Sequence, residues 1–324
     1  MLYYARILGQ YALALIAALT VNFLLPRLAP GDPLNSLLGA DTVETLSEAA
    51  REQVRVELGV GGPLHEQFVH YLGGVFTGNF GNSVVLGMPV WEAVMQRLPW
   101  TLLLMGCALA LSSIVGTVLG VLSAWRRGEA LDLATMGSVL FLGSLPPFWV
   151  AMMLIILFST TLGWLPSFGA YQLGTSFPNW NWFEGVGKRL IMPVAALAIV
   201  QSASVLLIAR SSMLMAQEQD YITFARARGV SEGGIFFRHA FRNALLPLYT
   251  HVMLGLGTLV GGSLVIETVF TYPGLGSLVV MGVNSRDYLL LQGLFIVASF
   301  SIIAVNFFTD LFYPLIDPRT RRAG

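Results

Sequence analysis

The residues with the widest chemical repertoire in this chain are four histidines, one cysteine and one lysine, and their spacing limits what they can do. His65-Glu66-Gln67-Phe68-Val69-His70 approaches the zinc-protease helix H-E-x-x-H, which needs its histidines four apart on one helical face. Here they stand five apart, so a helix turns the second away from the first. Lys188 follows Gly187, but Arg189 occupies the position where a phosphate-binding loop needs Ser or Thr. No G-x-S-x-G nucleophile elbow is present. His239 and His251 are isolated, and no residues have metal-ligand spacing. Cys107, alone in an apolar run, has no disulfide partner and is read as a packing residue. What remains is the chemistry of arginine and carboxylate. It concentrates in DYITFARARGVSEGGIFFRHAFRNALLP, from Asp220 to Pro247, where Arg226, Arg228, Arg238 and Arg242 accompany Asp220 and Glu232.

The elements that hold this island belong to a membrane protein. Of 324 residues, 55% are hydrophobic and 11% charged, against roughly 25% charged in soluble domains. A net charge of +0 gives no pull toward nucleic acid, and none is expected as a partner. Spanning hydrocarbon takes about 20 apolar residues. Six segments meet that requirement: 7–25, 101–124, 133–157, 190–213, 245–265 and 289–313. The first is too long for a signal-peptide core and lacks an A-x-A site, so it is read as a retained span. With six spans, both termini share a side with Arg6, Arg126, Arg127, the arginine island and Arg319, Arg321 and Arg322. The positive-inside rule makes that side cytoplasmic. The organisation expected is residues 1–27 as the N-terminus and first span, 28–98 as an external subdomain, 99–319 as a five-helix core and 320–324 as a tail. In the external segment, 45–58 reads as a helix capped by Ser47 and stopped by Gly59, and 64–76 as a second helix entered from Pro63. Pro146-Pro147 predicts a kink or break in the third span. Gly116-x-x-x-Gly120 and Gly257-x-x-x-Gly261, with Gly255 and Gly262, predict close helix packing.

A charged segment cannot lie in hydrocarbon without large cost, so 216–247 must lie on the membrane surface. Asp220 is the expected N-cap of a helix over 221–228, Gly229 its left-handed stop, and Ser231 the cap of a second helix carrying Arg238 and Arg242. Two functions fit: an arginine-rich connector on anionic lipid headgroups, or a docking surface for a cytoplasmic partner. Gln201, Ser202 and Ser204 in the fourth span, Ser112 and Ser113 in the second and Asn306 in the sixth either bond between helices or line a substrate path. The ionisable residues nearest the spans are Arg210, Glu267 and Asp310, all near helix ends. A secondary carrier, the rival class, would place such groups at mid-membrane and use no ATP.

Several stretches, in order along the whole chain, resemble the permeases of ABC importers of the dipeptide/oligopeptide/nickel class. They are Ala29-Pro30-Gly31-Asp32-Pro33, Arg97-Leu98-Pro99-Trp100-Thr101-Leu102 and Gly143-Ser144-Leu145-Pro146-Pro147-Phe148-Trp149. Gln219 to Ile222, Ala225 to Val230 and Arg238 to Pro247 follow, then Glu267-Thr268-Val269-Phe270 with Tyr272-Pro273-Gly274-Leu275-Gly276. Asn284 to Tyr288 and Leu315 to Arg319 complete the series. The long first loop is similar to that of the B-type subunit. The chain departs from the general importer motif in two ways. Thr223-Phe224-Ala225 stands in place of EAA, and the run from Gly229 to Leu246-Pro247 is longer. The resemblance implies an all-α polytopic membrane protein with six transmembrane helices and the type I ABC-importer permease fold, in a prokaryotic inner membrane. It implies a second permease subunit, two cytoplasmic ATPases that bind ATP and Mg, and an external solute-binding protein, with no enzyme activity or cofactor in this chain. It also implies ATPase-coupling roles for Asp220, Tyr221, Ala225, Arg226, Ala227, Arg228, Gly229 and Glu232. Glu267, Phe270, Pro273 and Gly274 would belong to an external gate or binding-protein contact, and Gln201, Ser202 and Ser204 to the translocation path. Di- or oligopeptides are the expected substrate, with nickel chelates, metallophores and glutathione as alternatives within the class.

Overall fold

A computed structural model describes residues 2–28, 34, 40–57, 61–175 and 177–316. The stretch 29–33, Gly59 and the tail from 317 lie outside the described residues, as do their expected roles. The described residues are mostly helical, and among them is one short hairpin, Asn82–Ser83 (β1) with Met88–Pro89 (β2). Two compact units divide it: Met1–Leu102 with Val260–Thr268 and Pro273–Gly324, and Leu103–Leu259 with Val269–Tyr272.

In the first unit, α1 (Leu2–Leu28) packs along the last helix, α14 (Tyr288–Ile316). Asn22 Nδ2 donates to Ser299 Oγ at 3.2 Å, and Tyr11 meets Phe307 edge-on at 5.6 Å. Between α1 and the hairpin lie α2 (Ala40–Thr45), α3 (Glu48–Glu57) and α4 (Leu64–Thr77). The expected helix over 45–58 is thus split before Glu48, where the Ser47 hydroxyl accepts from the Ala50 N–H as expected of a cap. Val90 opens α5 (Val90–Trp125), so the helix that carries the second span starts before the expected span at 101. Val90 and Val94 form a core with Leu275 and Leu278 of α13 (Leu275–Asn284) and Leu290 and Leu294 of α14.

The second unit is built on α8 (Trp180–Gln217), longer at both ends than the expected fourth span. Gly116 and Gly120 of α5 let it approach α8 closely. A Cβ at Gly116 would stand 2.6 Å from Val205 Cβ, and one at Gly120 2.5 Å from the Leu206 carbonyl. The third span is broken, as Pro146-Pro147 suggested. Its halves, α6 (Ala130–Gly143) and α7 (Pro147–Leu154, continued as a π-helix over Ile155–Thr161), meet at 97°. Pro147 excludes the α conformation at Pro146, which sits at φ −61°, ψ 136°. Among the described residues five helices are long and apolar enough to cross a membrane, or six if the bent pair is one broken span.

After α8 come α9 (Asp220–Ala227), α10 (Glu232–Gly234), a π-turn (Ile235–Ala240) and α11 (Phe241–Thr258). The fifth span was expected to reach Val265 but ends in a 3-10 turn at Leu259–Gly261. Gly262 then adopts φ +65°, a left-handed conformation that closes the helix, and α12 (Leu264–Val269) starts separately.

Candidate functional site

The arginine island forms the expected helix, tight turn and second helix. Its detail differs at the start. Gln219, not Asp220, is the N-cap of α9, and no side chain caps it. Asp220 is the first helical residue, where its charge still favours the positive end of the helix dipole. Gly229 has φ +77°, and a Cβ there would meet nothing within 4 Å. The position therefore demands glycine for backbone conformation, not for space. Ser231 caps α10 as expected, accepting from the Gly234 N–H at 3.4 Å.

Two contacts fasten the turn. Arg226 donates from Nε to Glu232 Oε1 at 2.8 Å and from Nη2 to Oε2 at 3.2 Å. Asn243 Nδ2 donates to Tyr221 Oη at 2.7 Å. Beneath them, Ile222 and Ala225 are buried with Met213, Ala216, Ile235, Ala240, Ala244 and Leu248. Ala225, for which the resemblance implies a coupling role, packs against this chain's own core, because it shares the inner face of α9 with Ile222. Outward stand Ala227, Arg228 and Phe224, the last 71% exposed. Phe237 on the π-turn is also exposed. Neither phenylalanine was among the expected coupling residues. Their signal in the sequence is a large apolar side chain inside a charged surface segment.

The unit also contains a buried charge cluster that reading the sequence missed. Arg210 of α8 donates from Nε and Nη2 to the two oxygens of Asp132 on α6, each at 3.0 Å. The Gly128 N–H donates to Asp132 Oδ2 at 3.0 Å, and the Ser123 hydroxyl donates to Oδ1. Arg210 Nε also reaches Ser123 Oγ at 3.2 Å. This cluster ties the ends of α5, α6 and α8 together. The only sequence cue was a carboxylate opening one span and an arginine near the end of the next.

Glu267 is wholly buried in the first unit. Thr101 Oγ1 donates to its Oε1, and the Ser277 N–H to its Oε2, both at 3.0 Å. Thr101 Oγ1 in turn accepts from the Leu275 N–H at 2.7 Å. Glycines enclose the carboxylate. A Cβ at Gly274 would overlap it, and one at Gly262 or Gly276 would lie 2.9 Å from an oxygen. Burial pushes the Glu267 pKa up, against the backbone and hydroxyl donors that pull it down. Glu267 and Gly274, for which the resemblance implies an external gate or binding-protein contact, are both buried within this unit, where the carboxylate accepts from the Ser277 N–H in the first turn of α13. Pro273 is half-buried. In the second unit Phe270 is also buried, at 2% exposure, and its carbonyl accepts from the Gly169 N–H at 2.9 Å.

Of the expected path residues, Gln201 Oε1 accepts from Ser112 Oγ at 3.4 Å across α5 and α8. Ser202 is buried and donates to the Ile199 carbonyl at 2.8 Å. Ser204 is exposed and donates to the Gln201 carbonyl at 2.9 Å. Among the described residues no group of three His, Cys, Asp or Glu could hold a metal ion.

Comparison with known proteins shows the family. Residues 116–322 match the family described as binding-protein-dependent transport system inner membrane component, and residues 1–105 match its N-terminal counterpart. The oligopeptide transport system permease protein AppB of Bacillus subtilis (strain 168) is 36% identical over 94% of this chain and 94% of its own length. The di/tripeptide transport system permease protein DppB of Pseudomonas aeruginosa (strain UCBPP-PA14) is 33% identical over 98% of each chain. A Brucella abortus (strain 2308) protein named for a peptide transport system permease is 38% identical over 98% of this chain and 99% of its own.

Proposed function

The chain belongs to the binding-protein-dependent transport system inner membrane component family, as a B-type permease of the peptide class of ABC importers, and from that premise we propose how it works. It is a membrane-embedded transport subunit. In the proposed mechanism the α9–Gly229–α10 turn lies in the cytoplasm, with both termini, and receives the stroke of two partner ATPases that bind ATP and Mg. A second permease subunit completes the pore, and an external solute-binding protein delivers substrate. The substrate class is di- or oligopeptides, in keeping with the names of the relatives.

One observation carries the coupling role. Ile222 and Ala225 fix α9 to the core of its unit, while Phe224, Ala227 and Arg228 stay exposed beside a turn braced by Arg226–Glu232. A push on the exposed face is therefore transmitted to α8 and α11 as a rigid displacement, because Met213, Ala244 and Leu248 share the core with Ile222 and Ala225. The same core leaves little freedom for the turn to move alone. Arg228 and the exposed Phe224 supply charge and an apolar anchor for an acidic-rimmed groove.

The test is Gly229→Asp in the transporter reconstituted with its ATPases and binding protein. A side chain at φ +77° strains the turn. Insertion should persist while peptide uptake and substrate-stimulated ATP hydrolysis are lost. Wild-type uptake in this variant would remove the coupling role. Ligand identification on the cognate binding protein tests the peptide assignment separately.

A further inference from the structure

A continuous set of contacts, all within the second unit, leads from the α9 turn to the broken third span. Only Glu218 and Gln219 separate α9 from the end of α8 at Gln217. Ile222 and Ala225 share one buried core with Met213 and Ala216 of α8, so the end of α8 has to follow α9. Arg210 stands one turn before Met213 and holds Asp132, in the first turn of α6, through two bonds of 3.0 Å. A fork of this kind fixes distance and direction together, which a non-directional apolar contact does not. The Ser123 hydroxyl and the Gly128 N–H donate to the same carboxylate and keep it in place.

The other end of α6 is held by shape. A Cβ at Gly143 would overlap Ala203 Cβ of α8, so the two backbones approach closely there. α6 and α8 therefore run antiparallel and are joined twice, by the Asp132–Arg210 fork and by the Gly143–Ala203 approach. Directly after Gly143 the chain turns through 97° into α7. Pro146 and Pro147 offer no N–H to carry a helical ladder across that bend. A stiff pair of helices thus ends at a joint. A second ionic contact between the α5–α6 turn and the end of α8 is weak by comparison. Arg127 Nη1 stands 3.6 Å from Glu218 Oε1, with the side chains 64% and 72% exposed.

We propose that Asp132 and Arg210 are positioning residues for transport. Their fork makes α6 travel with α8, so that a stroke received at α9 is released at the Pro146–Pro147 bend. This rests on the coupling role proposed for the α9 turn and adds the route by which the displacement reaches the third span.

The experiment uses the full transporter in proteoliposomes, with its ATPases and binding protein. Peptide uptake and ATP hydrolysis are measured in the same vesicles, with Gly229→Asp run alongside. The double variant Asp132→Leu/Arg210→Leu leaves no charge unpaired, so it should insert and assemble, but two leucines can slide past each other. ATP hydrolysis should continue, because α9 still yields to the ATPases. Uptake should fall, and the ATP used per peptide should rise about tenfold. Asp132→Asn keeps the side-chain shape and one acceptor oxygen, should raise the ratio less, and decides the matter if the double variant fails to assemble. Gly229→Asp differs in losing uptake and substrate-stimulated hydrolysis together. A merely structural role predicts the wild-type ratio of ATP to peptide in every clamp variant that assembles. That result, with Gly229→Asp inactive, overturns the clamp alone. Wild-type uptake in Gly229→Asp overturns the coupling role itself, and this proposal with it.

Discussion

Arg210–Asp132 and Arg226–Glu232 are both arginine–carboxylate pairs with two-point contact, at 3.0 Å and 3.0 Å in one and 2.8 Å and 3.2 Å in the other. Their surroundings are opposite. The side chains of Arg210 and Asp132 are 22% and 6% exposed, and those of Arg226 and Glu232 are 57% and 58%. Water screens the second pair, so its value lies in holding the turn's shape rather than in stability. The first pair has given up water and must keep its partners, because a lone buried charge is expensive. The same chemistry thus fastens helix ends in one place and braces an exposed turn in the other.

Removing the cation from the buried pair should have the largest effect. Arg210→Ala leaves Asp132 with only Ser123 and the Gly128 N–H as donors. We expect a loss of about 3 kcal/mol, the lower end for a broken buried pair, because Arg210 keeps some exposure. Urea denaturation in mild detergent would measure it. Replacing both partners with leucine should recover most of the loss, since no charge is then left alone. If the single and double variants are equally unstable, the buried pair is not the anchor described here.

Glu267 sharpens the comparison, because it is a buried carboxylate held by neutral donors. Gly274→Ala would drive a methyl into that carboxylate and should cost about 1–3 kcal/mol, as overpacking does. Ala at Gly229 would meet no atom, so any effect there would come from backbone strain alone. Melting temperatures of the two variants would separate crowding from conformation.

A smaller effect follows from the raised Glu267 pKa. The folded state holds the proton to higher pH than the unfolded state does. Folded protein then binds more protons between the ordinary glutamate pKa and the raised one, so stability falls as pH rises through that window. Glu267→Gln should flatten this slope. Parallel slopes for the wild type and variant would show that another group carries the dependence.

The exposed pair should show the smallest change in stability. Arg226→Ala and Glu232→Ala should leave the melting temperature within experimental scatter while reducing peptide uptake. A melting shift as large as that of Arg210→Ala would erase the distinction between the two pairs.

Much of the fold was legible because its signals are local. Hydropathy placed the spans, Pro146-Pro147 marked the 97° break and Gly229 marked the turn, since each residue's effect on its own backbone needs no distant partner. The end of the fifth span was less legible. Apolar residues continue beyond Gly262, and the left-handed glycine beside Glu267 stops the helix where hydropathy alone does not. At the candidate site, the helix–turn–helix and the Ser231 cap were readable, but the direction of Ala225 was not. An alanine in a short helix between charged residues has no pattern that says which face is inside.

The sequence by itself determined that this is a multi-span permease of the peptide importer class, with an arginine-rich turn kept out of hydrocarbon by the cost of burying charge. Tertiary structure alone decided which charges pair. Asp132 finds Arg210 across 78 positions, and Glu267 finds Thr101 across 166. Such partners are chosen by helix packing. The small residues that permit that packing, Gly116 and Gly120 on α5 and Gly262, Gly274 and Gly276 around Glu267, carry no charge signal of their own in the sequence.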